Sequence, residues 1–393
     1  MIAWTSCSRE KQSEDPASFR IDLTSFLERD RISPREIMAD IKYIKLASPD
    51  TFFLTEARKL LSFNGKLIAL DKNKKLLVAY DTIGNFLGQV GKRGLGPDEY
   101  QAIMDFDVDW SGNRLVAFSS ADQAVLLYDS ELNFQKKIRI NTYASQMSVL
   151  ESGHLAFYGY PEGGGPNIKV YSMLGKHLYD FMEFPKGDYV PMNYTGFISG
   201  NYFTYPLSGT IYRWDEAGNR AVEGYTITIP DGYPEESRFN HHSFMNTPMF
   251  SKNNNILTRF TIGGKFNDEL LFYYSYKRGG ETGFTLGVKL SGGQVFSHHH
   301  LKHGVKDQSD LFVRLFFTGP YNLPVYSKST DYYYTAATVE SMEYLYDSNK
   351  KSILLDEIKT TDSLLHELIQ NIKENDNPLV LRFRLKNHYD LSH

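Results

Sequence analysis

Three carboxylates alternate in the segment DFDVDWSGN: Asp105, Asp107 and Asp109. At strand spacing they share one face. If that strand lines a channel, they could hold a divalent cation such as calcium. The run resembles the start of an EF-hand loop, but Trp110 stands where the glycine belongs and Val116 where the bidentate glutamate belongs, so that motif is excluded. A second arrangement needs no metal: Asp109 holds the following turn, Asp105 caps the strand start and Asp107 pairs with a neighbouring element. The histidines form the other cluster, with His241 and His242 in one polar stretch and His298, His299, His300 and His303 in SHHHLKHG. Imidazole is a common metal ligand, and His299 with His303 has the i, i+4 spacing that suits a helix. Their Gly-flanked, polar surroundings read equally as a solvated loop. The candidate metal ligands are therefore Asp105, Asp107, His299 and His303, and the sequence requires no cofactor.

Other chemistry finds less support. GKRGLGPDEY, from Gly91 to Tyr100, gathers three glycines, two cations and two carboxylates. It lacks the G-x-x-x-x-G-K-[ST] of a phosphate loop, and Pro97 stands where a nucleotide-binding helix would open. The expectation is a crossing between repeated units, with Gly94 and Gly96 supplying backbone freedom and Pro97 a bend. There is no G-x-S-x-G elbow. The single cysteine, Cys7, removes an intramolecular disulfide and a cysteine-based zinc site.

The elements that position these residues read as strands. The chain has 393 residues, with 27 Tyr and 26 Phe against 3 Trp. Aromatic residues fit pleated, half-buried surfaces, and 30 Gly with 15 Pro supply turns. A formal net charge of −4 gives no basic field for nucleic acid. Four stretches repeat one grammar: a turn, an apolar strand, a polar turn, a strand ending in an aromatic, a short turn and a further strand. Aligned on the aromatic, the positions are Tyr80, Tyr128, Tyr171 and Trp214. That spacing suits one four-stranded propeller blade, about 40–50 residues. DTIGN, DSELN, SMLGK and DEAGN follow the aromatics and suit tight hairpins.

Outside those four units, strands are expected over 41–47, 57–63, 256–262, 269–279, 284–290, 311–317, 332–338 and 341–346, with long connections at 231–255 and 291–310. Near the C-terminus, Leu364, Leu365, Leu368, Ile369 and Ile372 share one helical face, so a helix is expected over about 362–374. LVLRFRLK then alternates strictly and predicts a strand over about 379–386. Aromatic-rich runs such as DYYYTAAT suit core packing or stacking on sugars at a propeller mouth. Thr5 and Ser6 before Cys7, with a polar stretch after it, resemble the end of a bacterial lipoprotein signal, although Trp4 is unusual there and no apolar region precedes it.

The run GQVGKRGLGPDEY followed by DFDVDWSGNRLVAF, and the closing NPLVLRFRLK after an amphipathic helix, resemble the six-bladed β-propeller lipoproteins of Bacteroidetes, related to NHL and TolB-like propellers. The likeness covers about residues 40 to 386. It implies an extracytoplasmic address and carries no catalytic residues. The expectation is thus an all-β, six-bladed propeller over 41–393 with a C-terminal helix-strand appendix, preceded by a tail over 1–40 that would be lipidated at Cys7 and so anchored to a membrane. The expected role is binding or scaffolding at the bacterial envelope, with a glycan or envelope protein as partner and no nucleic acid. The alternative is a metal- or carboxylate-dependent hydrolase or lyase acting on a carbohydrate or lactone at the propeller axis.

Overall fold

Tyr128 and Tyr171 end, and Tyr80 stands one residue before the end of, the third strand of a four-stranded antiparallel sheet, and each is buried. At each of the three the pairing with the outer strand slips by a bulge. The tyrosine then packs edge-on against the ring six residues later: Phe86 at 5.8 Å, Phe134 at 6.1 Å and His177 at 5.1 Å between centroids. The turn between is built by its first side chain. The Asp81 carboxylate accepts from the backbone N–H groups of Ile83 and Asn85, and Asp129 does the same with Glu131 and Asn133. An Asx turn thus forms from residues adjacent in sequence.

The computed structural model describes residues 20–22, 34–49, 52–159, 165–184, 197–204, 210–228, 256–266, 269–278, 281–289, 295–302, 311–317, 324–337, 339–374 and 376–386. The first blade comprises Ala57–Phe63, Lys66–Asp71, Leu76–Asp81 and Phe86–Val90. The second comprises Asp105–Asp109, Arg114–Ser119, Ala124–Tyr128 and Phe134–Arg139. The third comprises Gln146–Val149, Leu155–Tyr158, Gly165–Tyr171 and His177–Phe184. A further blade runs from Ile256 to Lys302. The closing blade takes Val325–Ser327, Tyr332–Ala336 and Leu379–Leu385 from the C-terminal part and Met38–Lys45 from the N-terminal part.

The expectation of six blades is corrected. Among the described residues five sheets are four-stranded blades, not six, and the remaining large sheet has five strands. In it Phe197–Ser199, Tyr202–Thr204, Thr210–Asp215 and Arg220–Thr228 are joined by Arg20–Asp22, which pairs in parallel with Thr226–Thr228. Ile21 of that strand is buried, although it lies in the stretch read as a tail. The reading missed this strand because three residues carry too little pattern.

Two expected strands are helices, Leu311–Phe316 and Val339–Tyr346, followed by Ser348–Ile358. Phe312, Leu315 and Phe316 are buried at i, i+3 and i+4, a helical face inside a run too short to distinguish from a strand. The expected helix near 362–374 spans Ser363–Gln370, capped by Asp362, whose Oδ1 accepts from the Leu365 N–H at 2.9 Å. Leu365 and Ile369 are buried, whereas Leu364 is 63% exposed and leaves the expected face. The final strand is no appendix. It pairs on one side with Met38–Lys45 and on the other with Tyr332–Ala336. The stretch read as a loop over 291–310 contains the strand Val295–Lys302; residues 231–255 lie outside the described residues.

The loop from Gly91 to Tyr100 is the expected crossing between the first and second blades. Lys92–Arg93 and Glu99–Tyr100 form a short parallel pair within it. The Glu99 carboxylate turns inward and accepts the Gly96 N–H at 2.8 Å, so the protein's own acid occupies the position an anion would take in a phosphate loop. Tyr100 is fully buried, and Gly91, at φ 68°, sits against the Tyr128 hydroxyl.

A candidate ligand cavity on the propeller axis

The inner strands of neighbouring sheets pack beside one another, and residues on them and in the turns that follow line a cavity of about 1270 Å³. The first blade contributes Lys59, the second Asp107, Asp109 and Trp110, and the third Glu151. The five-stranded sheet contributes Tyr202 and Arg213, and the closing blade Tyr326, Lys328 and Asp331.

The carboxylates of Asp105–Asp109 do share one region of the strand, but each already has partners. Asp105, nearly buried, accepts Lys59 Nζ at 3.1 Å on one oxygen and the Met147 N–H at 2.8 Å on the other. Asp107 accepts the Ser148 hydroxyl and the Val149 N–H, both at 2.9 Å. These two residues therefore stitch the second blade to its neighbours on either side. Asp109 accepts Ser111 Oγ at 2.7 Å, the Gly112 N–H at 2.9 Å and Arg114 Nη2 at 2.6 Å. Burial alone would raise its pKa, but the donors from Ser111, Gly112 and Arg114 outweigh it and hold the carboxyl below the usual carboxylate value.

Among the described residues no three His, Cys, Asp or Glu side chains are grouped to hold a metal ion. His299 lies on the strand Val295–Lys302, opposite Thr285. His303, His241, His242 and Cys7 lie outside the described residues. The structure thus places Asp107 on the cavity wall, with Asp105 beside it on the same strand.

What the sequence did not single out is the rest of the wall. Arg213 and Lys328 are exposed and make no hydrogen bond or ion pair among the described residues. The Glu151 carboxylate is likewise unengaged, although its backbone N–H donates to Asn201 Oδ1 at 3.0 Å. Trp110 is half-buried, with its ring packed edge-on against Phe63 at 6.3 Å. Tyr326 is half-buried and its hydroxyl donates to Asp331 Oδ1 at 2.8 Å. Burial, and then the Asp331 carboxylate, raise the Tyr326 pKa, so it stays a neutral phenol. Among the described residues the wall therefore offers the Trp110 ring, two cations without a protein anion, and one unengaged carboxylate, with the Tyr326 ring packed on Tyr333 at 5.2 Å. Such a mix of apolar faces with a few oriented polar groups is what small-molecule sites use.

Comparison with known proteins agrees with this architecture. Residues 18–384 match the family described as Domain of unknown function (DUF4934), and the chain belongs to that family. Among solved structures, a protein of Bacteroides fragilis NCTC 9343 with a proposed exported location matches with a TM-score of 0.67 at 18% identity, covering 94% of this chain and 99% of its own. A member of the DUF4221 family from Bacteroides vulgatus ATCC 8482 matches with a TM-score of 0.54 at 9% identity, covering 89% of this chain and 98% of its own. At those identities the likeness is one of fold. No functionally curated protein is detectably similar to the chain.

Proposed function

We propose that this protein is a binding module that works outside the cytoplasm and takes a small polar ligand into the axial cavity. The observation that carries the reading is the commitment of the wall carboxylates. Asp107 and Asp109 on the wall, and Asp105 beside them, are satisfied by donors from adjacent strands and turns, so they build the ring, while Arg213, Lys328, Glu151 and the half-buried ring of Trp110 line the space a ligand would enter. Rigid strands carry these groups, which suits recognition by a pre-formed site. The fold-level likeness to a protein with a proposed exported location supports the address, and no helix among the described residues is long and apolar enough to cross a membrane. Cys7 is the proposed lipid attachment point, tested by the mass of the N-terminal peptide from native membranes; an unmodified Cys7 there would contradict it.

The binding reading is tested by titrating the full chain with a panel of defined neutral and acidic oligosaccharides and following Trp fluorescence and heat. Saturable binding that is weakened by Glu151→Trp, which places a large ring in the cavity, is the expected result. Binding of panel members that is indifferent to that substitution would overturn the assignment of the cavity.

A further inference from the structure

The unengaged groups on the cavity wall have a definite chemical complement. Five wall acids have internal partners: Asp107 and Asp109 as above, Asp215 with the Ala217 N–H at 3.2 Å, Glu216 with the Ser152 N–H and the Trp214 Nε1–H, both at 3.0 Å, and Asp331 with the Tyr326 hydroxyl at 2.8 Å. They set a negative background that disfavours a polyanion such as a polyphosphate. Against that background Arg213, from the strand Thr210–Asp215, and Lys328, just after Val325–Ser327, remain without a protein anion among the described residues. A neutral ligand would leave both cations unmatched. A ligand with one or two carboxylates would match them, because a guanidinium and an ammonium are the natural partners of carboxylate oxygens. The half-buried ring of Trp110 calls for a flat or puckered ring with an apolar face, and Glu151 calls for donors such as hydroxyls.

We infer that the axial cavity recognises a carboxylate-bearing saccharide, with Arg213 and Lys328 reading the carboxylate, Trp110 carrying a sugar ring, and Glu151 accepting from hydroxyls. This rests on the binding reading above and narrows it to a ligand class. The cavity, at about 1270 Å³, has room for more than one sugar ring. Arg213 and Lys328 act as binding residues whose removal should leave the fold intact, since neither side chain holds another element in place.

The test is isothermal titration of the full chain at about 0.15 M salt, where exposed charges are screened beyond roughly 8 Å. The probes are the galacturonate disaccharide and neutral oligosaccharides that end in a single glucuronate, each paired with its carboxyl-reduced counterpart. The inference expects an acidic probe to bind and its reduced counterpart to bind about tenfold or more weakly. Arg213→Ala and Lys328→Ala should each weaken the acidic probe by about tenfold while leaving the reduced probe's affinity and the melting temperature unchanged. Equal binding of both probes, weakened by Glu151→Trp, would overturn the carboxylate preference and leave the cavity reading standing. Binding indifferent to Glu151→Trp would overturn both. An acidic probe whose affinity ignores Arg213→Ala and Lys328→Ala, or a panel in which no acidic probe binds, would overturn the inference.

Discussion

At the scale of single residues, the carboxylates of this protein are structural anchors, and that fixes how it responds to acid. Asp109 and Asp122 are both nearly buried and both have pKa values below the ordinary carboxylate value. For Asp122 burial pushes upward, and the donors from Ser119, Gln101 and Lys137 more than offset it. A lowered folded-state pKa means the stabilisation is complete above the unfolded value, about 3.9, and is lost as pH falls through the folded value. Melting temperature is therefore expected to hold above about pH 4 and to fall steeply below it. Asp109→Asn should melt lower at neutral pH and show a shallower acid limb than the wild type; an unchanged limb would contradict the role given to Asp109. The opening loop gives a second residue-level contrast. A Cβ on Gly91 would lie 2.2 Å from the hydroxyl of the buried Tyr128, at a left-handed φ of 68°. A Cβ on Gly94 would meet only the Glu99 carboxylate, the far end of a flexible side chain. Gly91→Ala should cost about 2–4 kcal/mol in chemical denaturation and Gly94→Ala distinctly less. The Asp109 turn was legible in sequence because its donors lie within five residues. Arg213 and Lys328 were not, because two isolated cations acquire meaning only when the ring closes and brings distant segments to one wall.

At the scale of elements, the blade repeat was legible because its marker is local. An aromatic, a bulge and an Asx turn recur at near-constant spacing, and each is specified by residues in contact with one another. The helices Leu311–Phe316 and Val339–Tyr346 were read as strands because short apolar runs carry either period, and packing against the closing blade decided the outcome. One side chain outside any strand gathers several contacts at the joint between the first and closing blades, where Ser327 and Ser329 also donate to the Ser62 carbonyl. Asn377, 1% exposed, accepts the Leu54 N–H at 2.7 Å and donates to the Ala47 carbonyl at 2.7 Å and the Tyr80 hydroxyl at 3.2 Å. Its own N–H donates to Ser48 Oγ at 2.6 Å. Asn377→Ala would leave a buried donor and acceptor unpaired, and roughly 2–4 kcal/mol of stability should be lost, measured by denaturant unfolding. Tyr80→Phe removes only one of these contacts and should cost about 1 kcal/mol. Similar losses for the two variants would show that Asn377 is not the hub of that joint.

At the scale of the whole molecule, closure joins both ends of the described chain. Leu379–Leu385 lies between Met38–Lys45 and Tyr332–Ala336, so its removal would leave both neighbours with unpaired edges. Truncation before Leu379 should yield protein without a cooperative melting transition; a truncated chain that melts like the full one would contradict this closure. The five-stranded sheet, with its parallel edge strand, sets that part of the ring apart from the four-stranded blades, a feature no repeat alignment could carry. A closed ring of sheets also explains the cavity: strands fixed on several sides hold charged and aromatic groups around a common space without any one element needing to move. The most direct test of that central claim is the affinity of the full chain for a binding saccharide, compared between the wild type and Glu151→Trp. A loss of about tenfold or more with an unchanged melting temperature is the predicted result. Undiminished affinity in the substituted protein would place binding elsewhere and contradict the account.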